Sequence, residues 1–280
     1  MKRAVFFQFL IIMLSSAWVS AQTTTRTNDS AGNNPPVNSN GKANVLVIPW
    51  HPKMFNGSSD VTKTISANTG QNYNQIQEAL RKGMCDQFRR AFSGQYNVTT
   101  LLDDTAKMKV DLMYCYNVTT TEYIPVNSPL NPVATPTQKG DAKKGAVKST
   151  TGVKNGQVQV DQQEGEKFMN TVIISPNLLA HLKKNYNCDY VIFMNQMDLQ
   201  NELGSDPYNT AGSTDFKRSA TLHYTIFNTA TGKRVAMGKA KGLFSNNVNT
   251  SKKIIDQAFA PIGTAVFNKF KAALAPAKPR

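Results

Sequence analysis

Apolar positions in this chain change their period from segment to segment, and the period identifies the element. Val45, Leu46, Val47 and Ile48 form an unbroken apolar run stopped by Pro49, as expected of a short strand covered on both faces and central in its sheet. From Asn72 the spacing becomes four: Ile76, Leu80, Met84, Phe88 and Phe92 share one side, Ala79, Gly83 and Ala91 lie beside them, and Arg81, Lys82, Asp86, Arg89 and Arg90 fall opposite. That spacing predicts an amphipathic helix. Ser93-Gly94 ends it, and Tyr96 to Leu102 resumes as a β-branched strand. Met108, Val110, Leu112 and Met113 fit neither period cleanly; residues 103–116 are read as a helix passing into a strand by Val118.

Ser175-Pro176 supplies a capping hydroxyl and a first-turn proline for a second helix, with Leu178, Leu179, Leu182 and Tyr186 as its buried stripe. Asp189 to Met194 is another apolar run suited to a central strand. Arg218 to Phe227 alternates, Ala220, Leu222, Tyr224 and Ile226 on one face and Thr221, His223 and Thr225 on the other, the pattern of a half-covered strand. After the turn at 228–232, Val235 to Phe244 returns with Ala236, Gly238, Ala240 and Gly242 on one face, where missing bulk admits a close helix, and Lys239 and Lys241 on the other. These two strands are expected to form an antiparallel hairpin. A last helix, 251–274, has Ile255, Phe259, Ile262, Val266, Phe270 and Leu274 on one stripe, kinked or split at Pro261. The whole predicts an α/β fold, a layered mixed sheet with helices packed on it, ending in an antiparallel hairpin and a C-terminal helix.

The remaining segments bury little. Residues 1–21 carry Lys2 and Arg3, an apolar run from Val5 to Leu14, and the small-residue end Val19-Ser20-Ala21. That is the order a secretory leader follows, with cleavage after Ala21. The apolar run is about half the ~20 residues a spanning helix needs, and no lipid-attachment cysteine sits beside the cleavage point. A periplasmic or secreted chain is therefore expected. Residues 22–42 read as a disordered linker, 43–274 as a single α/β domain with a Pro- and Lys-rich insertion at 124–166, and 275–280 as a basic tail. Asn155-Gly156 ahead of Gln157 to Val160 marks one exposed hairpin within the insertion.

Charge adds a direction. The formal net charge is +14, falling to +12 on loss of Lys2 and Arg3, since the leader holds no acid. A strongly basic exported chain suits an envelope protein or an anionic envelope polymer as partner, and general cationic attraction extends to nucleic acid as well. Arg81, Lys82, Arg89 and Arg90 on the first long helix, with Lys239 and Lys241 on the hairpin, are the candidate anionic-partner residues.

Motifs for chemistry are sparse. Cys85, Cys115 and Cys188 are too few and too far apart for a disulfide framework or a zinc site; either one bridge, with Cys115 and Cys188 the pair, or free buried thiols fits. No metal, cofactor or nucleotide motif stands in the sequence. Of the histidines, His51 follows the first strand at a plausible site edge, whereas His181 and His223 fall on polar faces and read as solvated surface residues. Asp103, Asp104, Asp198, Glu202 and Asp206 are the acids a glycosidase-type pair would draw on, without a supporting motif. Asn97 and Asn117 each open an Asn-Val-Thr glycosylation triplet, relevant in a eukaryotic source.

Three phrases together resemble a known group: Val45 to Pro49 before a long helix; Leu178 to Tyr186 leading into Cys188-Asp189-Tyr190-Val191-Ile192; and Ala220 to Phe227 followed by Thr231-Gly232-Lys233-Arg234-Val235 and a terminal helix. This order resembles the small α/β domain of the curli-secretion-channel (CsgG) family, the amino-terminal domain of TolB and the lipoprotein activators of penicillin-binding proteins. It covers residues 43–102 and 176–274; the insertion and the missing lipidation cysteine depart from the pattern. The resemblance implies a non-catalytic domain that docks on another envelope component. The rival expectations are an exported hydrolase using a carboxylate pair or His51, and a protein that binds polyanions or nucleic acid.

Overall fold

The computed structural model describes residues 41–103, 105–126, 152–154, 157–159, 166–202 and 217–275, all within the compact unit Asn33–Arg280. The leader, the linker up to residue 40, Asp104, Asp206, most of the insertion and the tail beyond Ala275 lie outside them. Strand β1 (Ala43–Ile48) is followed by a 3-10 turn (Pro52–Met54), β2 (Phe55–Gly57), helices α1 (Ser59–Thr69) and α2 (Tyr73–Phe92), β3 (Tyr96–Thr100), α3 (Ala106–Asn117) and β4 (Thr119–Pro125). Next come β5 (Gly152–Lys154), β6 (Gln157–Gln159), β7 (Lys167–Ile173), α4 (Leu178–Tyr186), β8 (Tyr190–Glu202), β9 (Lys217–Asn228) and β10 (Arg234–Ser245). The described chain closes with α5 (Ser251–Ile254), a π-helical turn (Ile255–Phe259) and α6 (Ala260–Leu274).

The main sheet runs β10-β9-β8-β1-β3, with β2 pairing further along β8. β1 lies parallel to both β3 and β8, while β8, β9 and β10 form an antiparallel meander. From β1 the chain crosses outward to β3 through α1 and α2, then returns over β1 to β8 through α3 and α4. Parallel crossovers are right-handed, so reversing their direction places the two helix pairs on opposite faces. Val45, Val47, Tyr190, Ile192, Leu222 and Tyr224 accordingly pack under α1, α2 and α6, whereas Leu46, Ile48, Val191 and Phe193 pack under α3 and α4. A separate antiparallel ribbon, β4 with β7, lies over the second face beyond the helices, its Ile124 and Phe168 buried against Met237 of β10.

Local sequence explains most boundaries. Asn72 and Gln75 close a capping box on α2, each side chain bonding the other's backbone amide at 2.9–3.0 Å. Thr105 caps α3, which does pass into a strand at Val118 as the mixed periodicity suggested. Pro261 splits the terminal helix: lacking an amide hydrogen and crowding the carbonyl four residues back, it sits in the first turn of α6, just after the π turn. Gly242 lets α6's approach run close, because a Cβ there would collide with the carbonyl oxygen of Ala258. No helix among the described residues is long and apolar enough to cross a membrane.

Three sequence expectations are corrected. Helix α4 begins at Leu178, with Asn177 before it and no side-chain cap; the Ser175 hydroxyl instead meets the Tyr114 hydroxyl at 3.4 Å. β8 does not stop near Met194 but runs to Glu202, bulged between Met194 and Gln196, so Asp198 and Glu202 belong to a strand. Ile124 and Pro125, placed in the insertion by composition, are part of β4. Within the insertion β5 and β6 do pair antiparallel, Val153 opposite Val158. The three thiols are free and buried, and burial pushes each up to about 12.

Candidate functional site

β1 ends at the point where the crossovers reverse, and open α/β sheets commonly bind ligands outside strand ends at such a switch. Here the geometry leaves a gap. β1 pairs with β8 as far as Phe193 and β2 resumes the pairing at Met197, so among the described residues no strand pairs with Met194, Asn195 and Gln196 on that side. Pro49, Trp50 and His51 swing out between β1 and the 3-10 turn, and the α3–β4 junction comes over them. The result is a cleft of about 300 Å³. Ile48, Pro49, Met54, Phe193 and Met194 give it apolar surface; Tyr116, Thr119, Thr120, Thr121 and Thr171 bring hydroxyls; His51 and Lys53 are its ionisable rim, and among the described residues no carboxylate lines it.

The turn holding His51 is fixed from behind. Arg81, buried at 6% exposure, donates from Nε to the Trp50 carbonyl at 3.1 Å, from one terminal nitrogen to Glu78 at 2.6 Å and from the other to the Tyr116 hydroxyl at 2.9 Å. Tyr116 in turn donates to the Pro49 carbonyl at 2.8 Å. Burial raises its phenol well above the ordinary range, so it positions the turn and does not supply a nucleophile. His51 Nδ1 accepts from the Lys53 amide at 3.1 Å, capping the 3-10 turn. The ring proton therefore sits on Nε2, and the ring stands edge-on to Tyr116 at 4.8 Å. Partial burial, then the charges of Lys53 and Arg81, lower the pKa of His51.

The predicted cationic residues do not form one surface. Arg81 faces inward as the clamp just described, contrary to its placement on the solvent side of the helix. Lys82 and Arg90 are exposed, while Arg89 pairs with Asp86 and with Asp103. Lys239 and Lys241 sit on the opposite face of the sheet, ion-paired with Glu166 and with Glu202 (2.6 Å) respectively. Helix α2 and strand β10 thus present their charges in different directions, most of them already matched by acids.

The expectation that His223 is a solvated surface residue is also overturned. It is 5% exposed, because the β4–β7 ribbon crosses the polar face of β9. Its Nδ1 accepts from the Met169 amide at 2.7 Å and its Nε2 meets Asp198 at 3.1 Å. Burial raises the Asp198 pKa, but bonds from His223, Gln196 and Asn56 outweigh it and the net shift is downward. Beside this pair Thr171, Thr225, Asn170 and Asn195 form a connected set of bonds at 2.5–3.1 Å that extends to the Met169 carbonyl and to Glu122. His223 and Asp198 also line a second cleft of about 520 Å³, bordered by Glu166, Glu202, Lys239, Lys241 and Lys269. Both ring nitrogens of His223 are engaged, so it has no lone pair to offer a nucleophile. His181, half-exposed, contacts the buried carboxylate of Asp111 at 2.8 Å on the far side of α4.

His51 was legible as a strand-end residue at a site edge. Thr119 to Thr121 and Asn195 were not, since their contribution depends on the bulge in β8 and the ribbon above it. The run Thr119-Thr120-Thr121 was the available signal, three β-branched hydroxyls following a helix end.

No protein-family model matches the chain, and no curated protein does. Among solved structures it is similar to the hypothetical protein CT253 from Chlamydia trachomatis, 12% identical over 82% of this chain and 94% of that one, with a TM-score of 0.35. It is similar as well to the lipoprotein GNA1162 from Neisseria meningitidis, 12% identical over 82% of this chain and 99% of that one, with a TM-score of 0.31. At these scores neither likeness bears on function.

Proposed function

We propose that this is an exported, non-catalytic binding protein of a bacterial cell envelope, and that it recognises its partner with the cleft at the end of β1. The leader-like order of residues 1–21 supports export. One observation supports binding over turnover: among the described residues the cleft's ionisable groups are a histidine with a lowered pKa, a lysine and the Tyr116 phenol, whose pKa is raised, with neither an acid to orient the imidazole nor an activated nucleophile beside it. Among the described residues this cleft holds no carboxylate pair of the kind a hydrolase would need, and in the larger one the acids are tied to lysines and to His223.

The dispersal of the basic residues moves the proposed contact from a broad cationic face to this concave one. Its test is capture from envelope extract by the immobilised chain at low salt, beside a Thr120→Trp variant that fills the cleft from an exposed strand position. A defined partner held by the parent and lost by the variant is the expected result. Equal capture by both, or none by either, contradicts the reading.

A further inference from the structure

Resting on the cleft being the recognition site, the geometry points to its occupant: we propose that it receives the free carboxyl terminus of a protein chain, laid as an added strand along the outer edge of β4. Three independent features converge on that chemistry. The first is charge. A cleft of about 300 Å³ whose rim carries Lys53 and the Nε2–H of His51, with no acid among the described residues that line it, complements a single anionic group. The larger cleft instead mixes signs, with Glu166, Asp198 and Glu202 standing among its lysines, so an incoming carboxylate would meet acids there.

The second feature is a free strand edge. Among the described residues β4 pairs only with β7, and three consecutive β4 residues, Thr119, Thr120 and Thr121, line the cleft. Consecutive residues on a strand point to opposite faces, so a wall built from three in a row includes the backbone edge itself. Backbone donors and acceptors on such an edge take up an extended peptide whatever its sequence. The third is size and floor. The volume accommodates about one terminal residue, and Ile48, Met54, Phe193 and Met194 offer its side chain an apolar bed. A long polyanion would meet one lysine here; a chain end meets a carboxylate site, a strand edge and an apolar floor in one place.

The test is a nitrogen-resolved NMR titration of the full chain with a pool of acetylated tetrapeptides ending in Val, Leu, Ile, Phe or Met with a free carboxylate. The identical pool with amidated ends runs alongside. Expected are shifts at the amides of residues 50–54 and 119–121, with affinity at least about tenfold weaker for the amidated pool and for the parent pool on Lys53→Met. Lys53 is exposed, so an unchanged urea midpoint certifies that variant as folded. Equal binding of acid and amide pools overturns the carboxylate. Acetyl-leucine binding as well as the tetrapeptides overturns strand addition and identifies a small free carboxylate as the occupant. No shift with either pool overturns this inference alone if the extract partner is still captured in a cleft-dependent manner; if that capture also fails, the binding function falls with it.

Discussion

His223 shows how one residue's role turns on what lies over it. On alternation alone it belongs to the polar, half-covered face of β9; the ribbon then buries it, and the sequence offers no local sign of that because β4 and β7 are about 40 residues apart, joined by a segment with no apolar pattern of its own. Its Nδ1 holds the Met169 amide and its Nε2 holds Asp198, so His223→Ala leaves the buried Met169 amide unmatched and Asp198 with only its bonds from Gln196 and Asn56. Losing a buried hydrogen bond to a carboxylate together with the partner of a buried amide is expected to cost about 1.5–3 kcal/mol in urea unfolding. A single variant within about 1 kcal/mol of the parent contradicts the assignment. Arg81 teaches the same lesson from the other side. Its place in the helix pattern pointed outward, yet its guanidinium reaches back to Trp50 and Tyr116 and fixes the turn on which His51 stands.

At the scale of elements, the strongly periodic pieces were legible: β1 as a central strand, α2, the β9–β10 hairpin and the split final helix all stand where their patterns put them. Helix α1 was not, since only Val61, Thr62 and Ile65 are buried in its otherwise polar sequence. The small-residue face of β10 was read correctly because glycine and alanine at alternate positions leave room that only a close neighbour fills. Gly242→Ala tests that contact. A methyl group there meets the Ala258 backbone, which cannot rotate away, so a loss of about 1–3 kcal/mol is expected. In a domain of this size that lowers the melting temperature by about 2–4 °C for each kcal/mol. An unchanged melting temperature would mean that the π turn lies further from the sheet.

For the whole molecule, several buried or paired carboxyls set the acid limit. Asp111 and Asp198 are both raised by burial but lowered more by their hydrogen bonds, from Tyr186 and His181 in one case and from His223, Gln196 and Asn56 in the other. Each binds its proton less readily folded than unfolded, so their stabilisation is complete above the ordinary value of 3.8 and is lost as pH falls through the folded values. His51, lowered from 6.5, adds a shallow decline that starts below that pH. A urea midpoint that declines gently from pH 6.5 and steeply below about pH 4 is expected; one that rises on acidification contradicts the bonding described. The cleft itself was only partly readable. Its His51 comes from a strand end visible in the pattern, but the hydroxyl wall and the gap beside β8 between β1 and β2 arise from crossover direction and a bulge, which no single segment encodes.

The central claim, that recognition happens at the end of β1 and not on the cationic faces, is tested most directly by amide chemical-shift mapping of the full chain with the partner captured from envelope extract. Shifts centred on residues 49–54, 119–121 and 194–196 are the predicted result. Shifts centred on Lys82 and Arg90 of α2, or on Lys239 and Lys241 of β10, with the cleft unmoved, would contradict it.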